Sequence, residues 1–562
     1  MKRVFFLIGV IYTVSCFKTF AQSVPVGTPV LDDYYRRGQL TGKVDSNLSF
    51  TIRPLSRESL NVADVFDPDS ILKNGRSNSG TQTVFANGHG FFQILPLTWQ
   101  QQFNSDHPYG WNDEAMIPAK GYQTMISGGV YFKMGPLSIQ LRPEYVYAAN
   151  LPFQGFVSVG RSASEISLYN SYFNTIDAPE RFGNKAYNKW FWGQSNIKLT
   201  FGPVEAGVST ESLWWGPGIQ NALIISNSAP GFKHITLNTS HPINTYIGHF
   251  EAQIIAGRLE GSGLPPLLNG AIDYQPKDSD WRYYTGFNIN YHPKWVPGLT
   301  LGLTRTFDAY EKDVSGFKGY VPFFTAYSKV STTGQDSGIG DPFPRDQLTS
   351  IYARWLFTKA AAEVYFEYGL NDNAYNLNDF IGAPQHSRAY IAGLRKLVPI
   401  AGNKNQGILF GAEITQLSQS IDRIVRSAGG WYTHYQIRQG QTNLGQMLGA
   451  GTGSGGNLQS VEMSWVCGLT KIGFQFDRYE HAVDFSDTYL PDINNNSRKW
   501  VDFGLSLKGE WDYKNFLFNV KLQQIKSLNY EWILKDYTAN EYYIPHNTAF
   551  NFHGELGITY RF

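Results

Sequence analysis

The sequence predicts an all-β fold, a transmembrane antiparallel β-barrel of about 18 strands behind a short N-terminal helical segment. Three observations predict it. An apolar leader is followed by no further long apolar run, which marks an exported chain without a transmembrane helix. Period-two alternation recurs over segments of about ten residues, the length a tilted strand needs to cross a bilayer. Between these segments, short turns alternate with long loops, as in outer-membrane barrels.

The leader comes first in the chain. Lys2 and Arg3 form a positive start, Val4 to Phe17 is apolar, and Thr19-Phe20-Ala21 offers a cleavage site before Gln22. Residues 1–21 therefore read as a signal peptide. The full chain has 47 Lys+Arg against 46 Asp+Glu; losing Lys2, Arg3 and Lys18 leaves 44 against 46. So even a balance excludes a nucleic-acid partner held through phosphates. Charged residues make up 17%, against about 25% in soluble domains. Of the two cysteines, Cys16 lies in the leader and only Cys467 remains, which excludes a disulfide scaffold. Acylation of Cys16 is disfavoured by Thr13 three places before it.

Residues 22–90 differ in pattern from the rest of the chain. Val30–Gly38 and Ser56–Val62 read as short helical pieces, with Ser56 as N-cap and Gly38 or Gly42 as a stop. Residues 71–90, rich in Gly, Ser and Asn, read as a linker. The expectation is a small periplasmic helical segment docked under the barrel.

Residues 91–562 carry the barrel pattern. Strands are expected near 91–103, 123–134, 137–149, 190–201, 204–213, 232–240, 246–258, 282–292 and 299–310. Nine more fall near 348–358, 361–370, 387–397, 407–418, 458–466, 470–480, 498–508, 514–526 and 550–562. In the last, Phe550, Phe552, Leu556, Ile558, Tyr560 and Phe562 share one face, and Asn551, His553, Glu555, Thr559 and Arg561 the other. Met134-Gly135-Pro136 and Gly202-Pro203 are short turns, whereas 150–189, 311–347, 419–457 and 527–549 are long loops. The short-turn side is periplasmic by the rule for such barrels, so both termini face the periplasm. Gly430 to Ile437 offers a further strand, which would change the count by two.

Two segments carry a family resemblance. Leu213-Trp214-Trp215-Gly216-Pro217-Gly218, followed by Leu223-Ile224-Ile225-Ser226-Asn227-Ser228-Ala229-Pro230-Gly231-Phe232, resembles the hallmark of the capsule-assembly Wzi family. The runs Arg37–Leu40 and Ile52–Ser56 are similar to that family's mature start. The resemblance implies an 18-stranded outer-membrane barrel with a periplasmic helical bundle and a loop-plugged lumen. It implies a role in binding exported capsular polysaccharide and organising it at the cell surface. The terminal aromatic strand ending in Phe562 resembles the signal read by the barrel assembly machinery. The expected context is a monomer in outer-membrane lipid.

A glycan is held by sugar faces stacked on aromatic rings and by amide and hydroxyl hydrogen bonds. The long loops supply Trp214, Trp215, Gln220, Asn221 and Asn227 in one place and Trp431, Tyr432, His434 and Tyr435 in another. For Trp214 and Trp215 the competing role is bracing a loop folded into the lumen. For the Trp431 group it is another strand with interfacial aromatics. Enzyme signatures are weak. His-Glu-x-x-His, Gly-x-Ser-x-Gly and the phosphate-binding loop do not occur, and Gly451–Gly456 matches a dinucleotide pattern only in letters. Asp477, Glu480 and His481 cluster at one strand end, while Asp492, Asn494 and Asn496 mimic part of a calcium loop without its Gly or distal Glu. No cofactor or metal is expected, and no catalysis. The alternative function is a sugar or small-solute porin, because barrels of about 16–18 strands leave an aqueous channel. Arg142, Glu144, Glu251, Asp502, Lys508, Glu555 and Arg561 would line either lumen.

Overall fold

The computed structural model describes residues 22–68, 82–156, 161–266, 273–324, 344–371, 381–400, 403–420, 430–490, 499–532 and 548–562. The expected signal peptide, most of the linker, and Asp492, Asn494 and Asn496 lie outside the described residues.

Eighteen antiparallel strands form the barrel. They are β1 (Gly90–Asn104), β2 (Gly121–Met134), β3 (Leu137–Leu141 and Glu144–Ala148), β4 (Tyr187–Phe191 and Asn196–Phe201), β5 (Val204–Ser209) and β6 (Lys233–Thr239). Next come β7 (Gly248–Leu259), β8 (Arg282–Pro293), β9 (Leu299–Tyr310), β10 (Asp346–Phe357), β11 (Ala362–Asn371) and β12 (Arg388–Ile400). The last are β13 (Asn403–Gln416), β14 (Asn457–Cys467), β15 (Thr470–Glu480), β16 (Val501–Tyr513), β17 (Phe516–Leu528) and β18 (Ala549–Tyr560). β18 pairs back onto β1, from His553 opposite Asn104 to Tyr560 opposite Leu97, so the sheet has no open edge. Closure satisfies every ladder group inside the protein, which lipid cannot do. Each expected strand is present. Gly430–Ile437 is not a strand but a series of turns, so the count stays at 18. Trp431 and Tyr432 there pack into a buried core instead of lying along a strand face.

Alternation sets the two faces. In β16, Leu505 is 58% exposed on the outer wall, while its neighbour Ser506 is fully buried toward the lumen. Phe550 and Phe552 likewise point outward in β18, and Asn551 and His553 inward. The protein is an outer-membrane β-barrel. As a folded barrel it should migrate faster on gels unheated than boiled; one mobility under both conditions would contradict closure.

The N-terminal segment forms helix α1 (Pro29–Leu40), with Pro29 in its first turn, and the short α2 (Arg57–Leu60). The Ser56 side chain caps α2 by accepting from the Ser59 N–H at 3.0 Å, and Asn61 ends it in the left-handed region at φ 53°. This segment lies within the ring of strands, not beneath it, which corrects the expected position. The Arg36 guanidinium donates to Glu363 of β11 at 2.9 Å, and the Ser49 N–H to Glu251 of β7 at 2.7 Å. Arg354 of β10 donates to the Ser49 carbonyl at 2.9 Å. Asp33 pairs with Arg395 and Lys471. Polar lining that would cross an open lumen unpaired is thus matched by the segment's own charges. Its apolar side closes a core with Leu31, Tyr35, Phe50, Phe91, Tyr131 and Leu517 at the short-turn end.

Candidate functional site

The loop joining β5 to β6 folds into the lumen from the other side. Trp214 and Trp215 form a two-residue ladder with Arg53 and Ile52 of the N-terminal segment. Trp215 is fully buried, and its indole N–H donates to Gln253 at 2.8 Å. Beyond the glycines, the carboxylate of Glu413 in β13 accepts from the backbone N–H groups of Ile219 (2.6 Å), Gln220 (3.0 Å) and Asn221 (3.0 Å). It also accepts the Tyr365 hydroxyl at 2.7 Å. One carboxylate therefore satisfies a whole turn of otherwise orphaned donors. Asn221 donates to Thr415 at 3.1 Å, and Asn227 to the Asn112 carbonyl at 2.8 Å. Leu223, Ile224 and Ile225 pack with Trp215, Trp431 and Tyr432 in a core that fills the lumen centre.

The Trp431 group takes part in that core. Trp431 and Tyr432 are both 0% exposed. The Trp431 indole N–H donates to the Ser387 carbonyl at 3.0 Å. The Tyr432 hydroxyl donates to the Leu223 carbonyl at 2.7 Å and accepts from the Ala450 N–H at 2.8 Å. Neither ring has a free face for a sugar in this arrangement; the pair braces the inward loop, as do Trp215 and Asn221. Tyr432→Phe should destabilise the barrel by about 1–3 kcal/mol, because it strips a buried N–H and a buried carbonyl of one partner. An unchanged thermal transition would contradict this. His434, also buried, accepts from the Ile437 N–H at 2.9 Å through Nδ1. Tyr435 is different. Its ring is 62% exposed, stacks on His434 at 5.3 Å, and sits on the long-loop rim. Residues 434–438 run beside Thr175 and Pro276: the His434 N–H donates to the Thr175 carbonyl at 2.9 Å, and Arg438 to the Pro276 carbonyl at 3.0 Å. The rim therefore joins three loops around one open aromatic ring, with Gln436 exposed next to it.

Between α1 and the inward loop lies a lumenal chamber of about 280 Å³. Its floor includes Asp32 and Arg36, its roof Trp111, Asn112 and Gln220, and its wall Glu462, Lys471, Lys508 and Glu555. Arg53 stacks on the Trp214 ring, its guanidinium carbon 4.3 Å from the centroid. Burial pulls the Arg53 guanidinium down to about 10, against the pull of Asp32. Burial also pushes the Asp32 carboxyl up to about 6, against Arg53 and the Gly27 and Thr28 N–H groups. Arg53 and Trp111 are residues that sequence reasoning missed as site members. Arg53 stands inside the Ile52–Ser56 run, but no local spacing shows that it meets a residue so far along the chain. The expected lining residues Arg142, Glu144, Glu251, Asp502 and Arg561 are buried on the lumenal side, with Lys508 and Glu555 partly exposed there. Among the described residues, no group of three His, Cys, Asp or Glu is placed to hold a metal ion.

The family model described as capsule assembly protein Wzi matches residues 100–515. In structure the chain is similar to Wzi of Escherichia coli, an outer-membrane protein involved in group 1 capsule assembly and a carbohydrate-binding β-barrel. The identity is 13%, 96% of this chain and 100% of that one are covered, and the TM-score is 0.58. Acinetobacter baumannii OccAB3 (9% identity, 84% and 99% covered, TM-score 0.37) and OccAB4 (11%, 86% and 99%, 0.35) match more loosely. No curated protein matches the chain in sequence. The matched span includes the double-tryptophan loop, the Glu413 clamp and most of the barrel, and the chain belongs to the Wzi capsule-assembly family.

Proposed function

We propose that this barrel binds exported capsular polysaccharide on its long-loop face and anchors it to the cell surface. The observation that carries this reading is the family match over residues 100–515. The fold supports it: among the described residues the lumen is filled at two levels, by α1 near the short turns and by the double-tryptophan loop above it. A filled lumen gives little support to the porin reading, so the purified protein should show little conductance in planar bilayers; large, stable currents would restore that reading. The exposed Tyr435 ring, with Gln436 and Arg438 beside it, is the contact favoured among the nine loop candidates. A sugar face stacked there is worth about 1 kcal/mol per site by analogy with aromatic pairs, and a polymer engaging many copies multiplies small losses. No catalytic step is assigned. Insertion through the terminal strand ending at Phe562 and action as a monomer belong to the same reading.

Deleting the chain tests it. Total polysaccharide should stay constant while capsule shifts from cells to medium, and Tyr435→Ala should reproduce part of that shift with the barrel still inserted. An intact capsule layer on the deletion strain would reject the assembly role.

A further inference from the structure

We infer that the outer wall of β14–β18 holds a phosphorylated lipid of the outer leaflet, with its phosphate on Arg478 and Lys526 and its acyl chains on the apolar rows beneath them. The inference goes beyond the glycan reading and needs only the barrel in its membrane. Gln459, Arg478, Phe503, Lys526 and Phe550 stand opposite one another on successive strands and form one outward-facing row. Arg478, Phe503 and Lys526 each lie two residues from the long-loop end of their strand. Neighbouring strands are about 4.8 Å apart, so the two cations stand about 10 Å apart, with the Phe503 ring between them. Gln459 accepts one Arg478 N–H at 2.9 Å, which holds the guanidinium along the wall.

Positive charge at this level outweighs negative. Among the described residues Glu480 is the acid that meets it, taking Lys499 at 3.1 Å and Arg478 at 3.6 Å. Three cations thus share one acid, and Lys526, which is exposed, pairs with no acid among the described residues. Below the row, the outward positions of the five strands carry no charged residue down to the short turns. Val461, Phe474 and Leu505 there are each more than half exposed. An outward Arg or Lys costs most at the bilayer midplane and little at its edge, so the row marks the headgroup level. Hydrocarbon covers the apolar rows of a membrane wall, and the anion that meets cations directly above them is the phosphate those chains carry. Arginine takes a phosphate through two parallel hydrogen bonds, and lysine takes it as a point charge.

The test titrates the detergent-purified full chain with lipid A and with the same lipid stripped of its phosphates, read by native mass spectrometry. Lipid A should bind at least about tenfold tighter than the stripped form. The double variant Arg478→Gln with Lys526→Gln should weaken lipid A at least about tenfold, and unheated gel mobility confirms that it is folded. Should the double variant not fold, Lys526→Gln alone should weaken lipid A about threefold, because its side chain gives up no partner. Lys359→Gln, an exposed cation at the short-turn end, should leave binding unchanged. Equal binding of the two lipids, native affinity in the folded double variant, or an equal loss in Lys359→Gln would each overturn the inference. Displacement of lipid A by inorganic phosphate at matched ionic strength would overturn it too, since the acyl rows would then contribute nothing.

Discussion

Glu413→Gln is expected to free the double-tryptophan loop from the lumen wall. The native carboxylate accepts three backbone N–H groups and one tyrosine hydroxyl, all between 2.6 and 3.0 Å. An amide offers a single acceptor oxygen and turns an NH₂ toward the same donors. Hydrogen bonds to a charged acceptor contribute about 1.5–3 kcal/mol each, and donors left buried without a partner add a penalty of their own. A loss of about 3–5 kcal/mol results for the loop's docking, with the β-ladders untouched. Protease added to the folded barrel should then cut between residues 216 and 231, where the native protein resists, and bilayer currents should rise. Equal protease resistance in the variant would show that the apolar packing of Leu223, Ile224 and Ile225 holds the loop unaided.

The second large effect concerns the N-terminal segment. Glu363, fully buried on β11, sits between Arg36 of α1 at 2.9 Å and Arg354 of β10 at 2.5 Å. Glu363→Met leaves two buried guanidinium groups without their acid, a change that costs about 3–5 kcal/mol. Arg36→Met should be milder, because Arg354 still neutralises the glutamate. The folded gel band of Glu363→Met should convert to the unfolded one at a lower temperature. The double variant, Arg36→Met with Glu363→Met, should lose less than the sum of the single changes, since each alone strands the other's charge. Strict additivity would mean that Arg36 is held by the Pro217 and Gly218 carbonyls, at 2.7 and 3.3 Å, and not by the acid.

These two clamps explain why some of the molecule was legible in one dimension and some was not. Period two assigns each strand residue to one of two faces, so the Phe550–Phe562 strand could be read from the chain alone, with its inward His553 and outward Phe552. Turn chemistry at Gly202-Pro203 fixed where that reading stops, and Ser56 announced α2 because a cap acts on its own next turn. The loop aromatics carried no such local rule. Trp431 and Tyr435 stand four residues apart in one loop, yet one is wholly buried and the other largely open. The difference lies in distant segments: Ser387 ties down the Trp431 indole and Leu223 and Ala450 the Tyr432 hydroxyl, whereas the Tyr435 ring stacks on its neighbour His434.

By itself, the sequence determined the barrel class, its strand number to within two and the polarity of its two faces, because alternation stems from neighbours one or two residues apart; the structure settled the count at 18 by showing Gly430–Ile437 as turns. Tertiary structure alone decided what fills the lumen and which loop residues stay open to a glycan. Arg36 meets Glu363 across 327 residues, and Arg53 meets Trp214 only because a helical segment from one end and a loop from the other enter the same ring. Contacts at that separation depend on how two independently shaped surfaces fit inside the closed sheet. Alternation along a strand carries the direction of each side chain, but no information about what will stand opposite it.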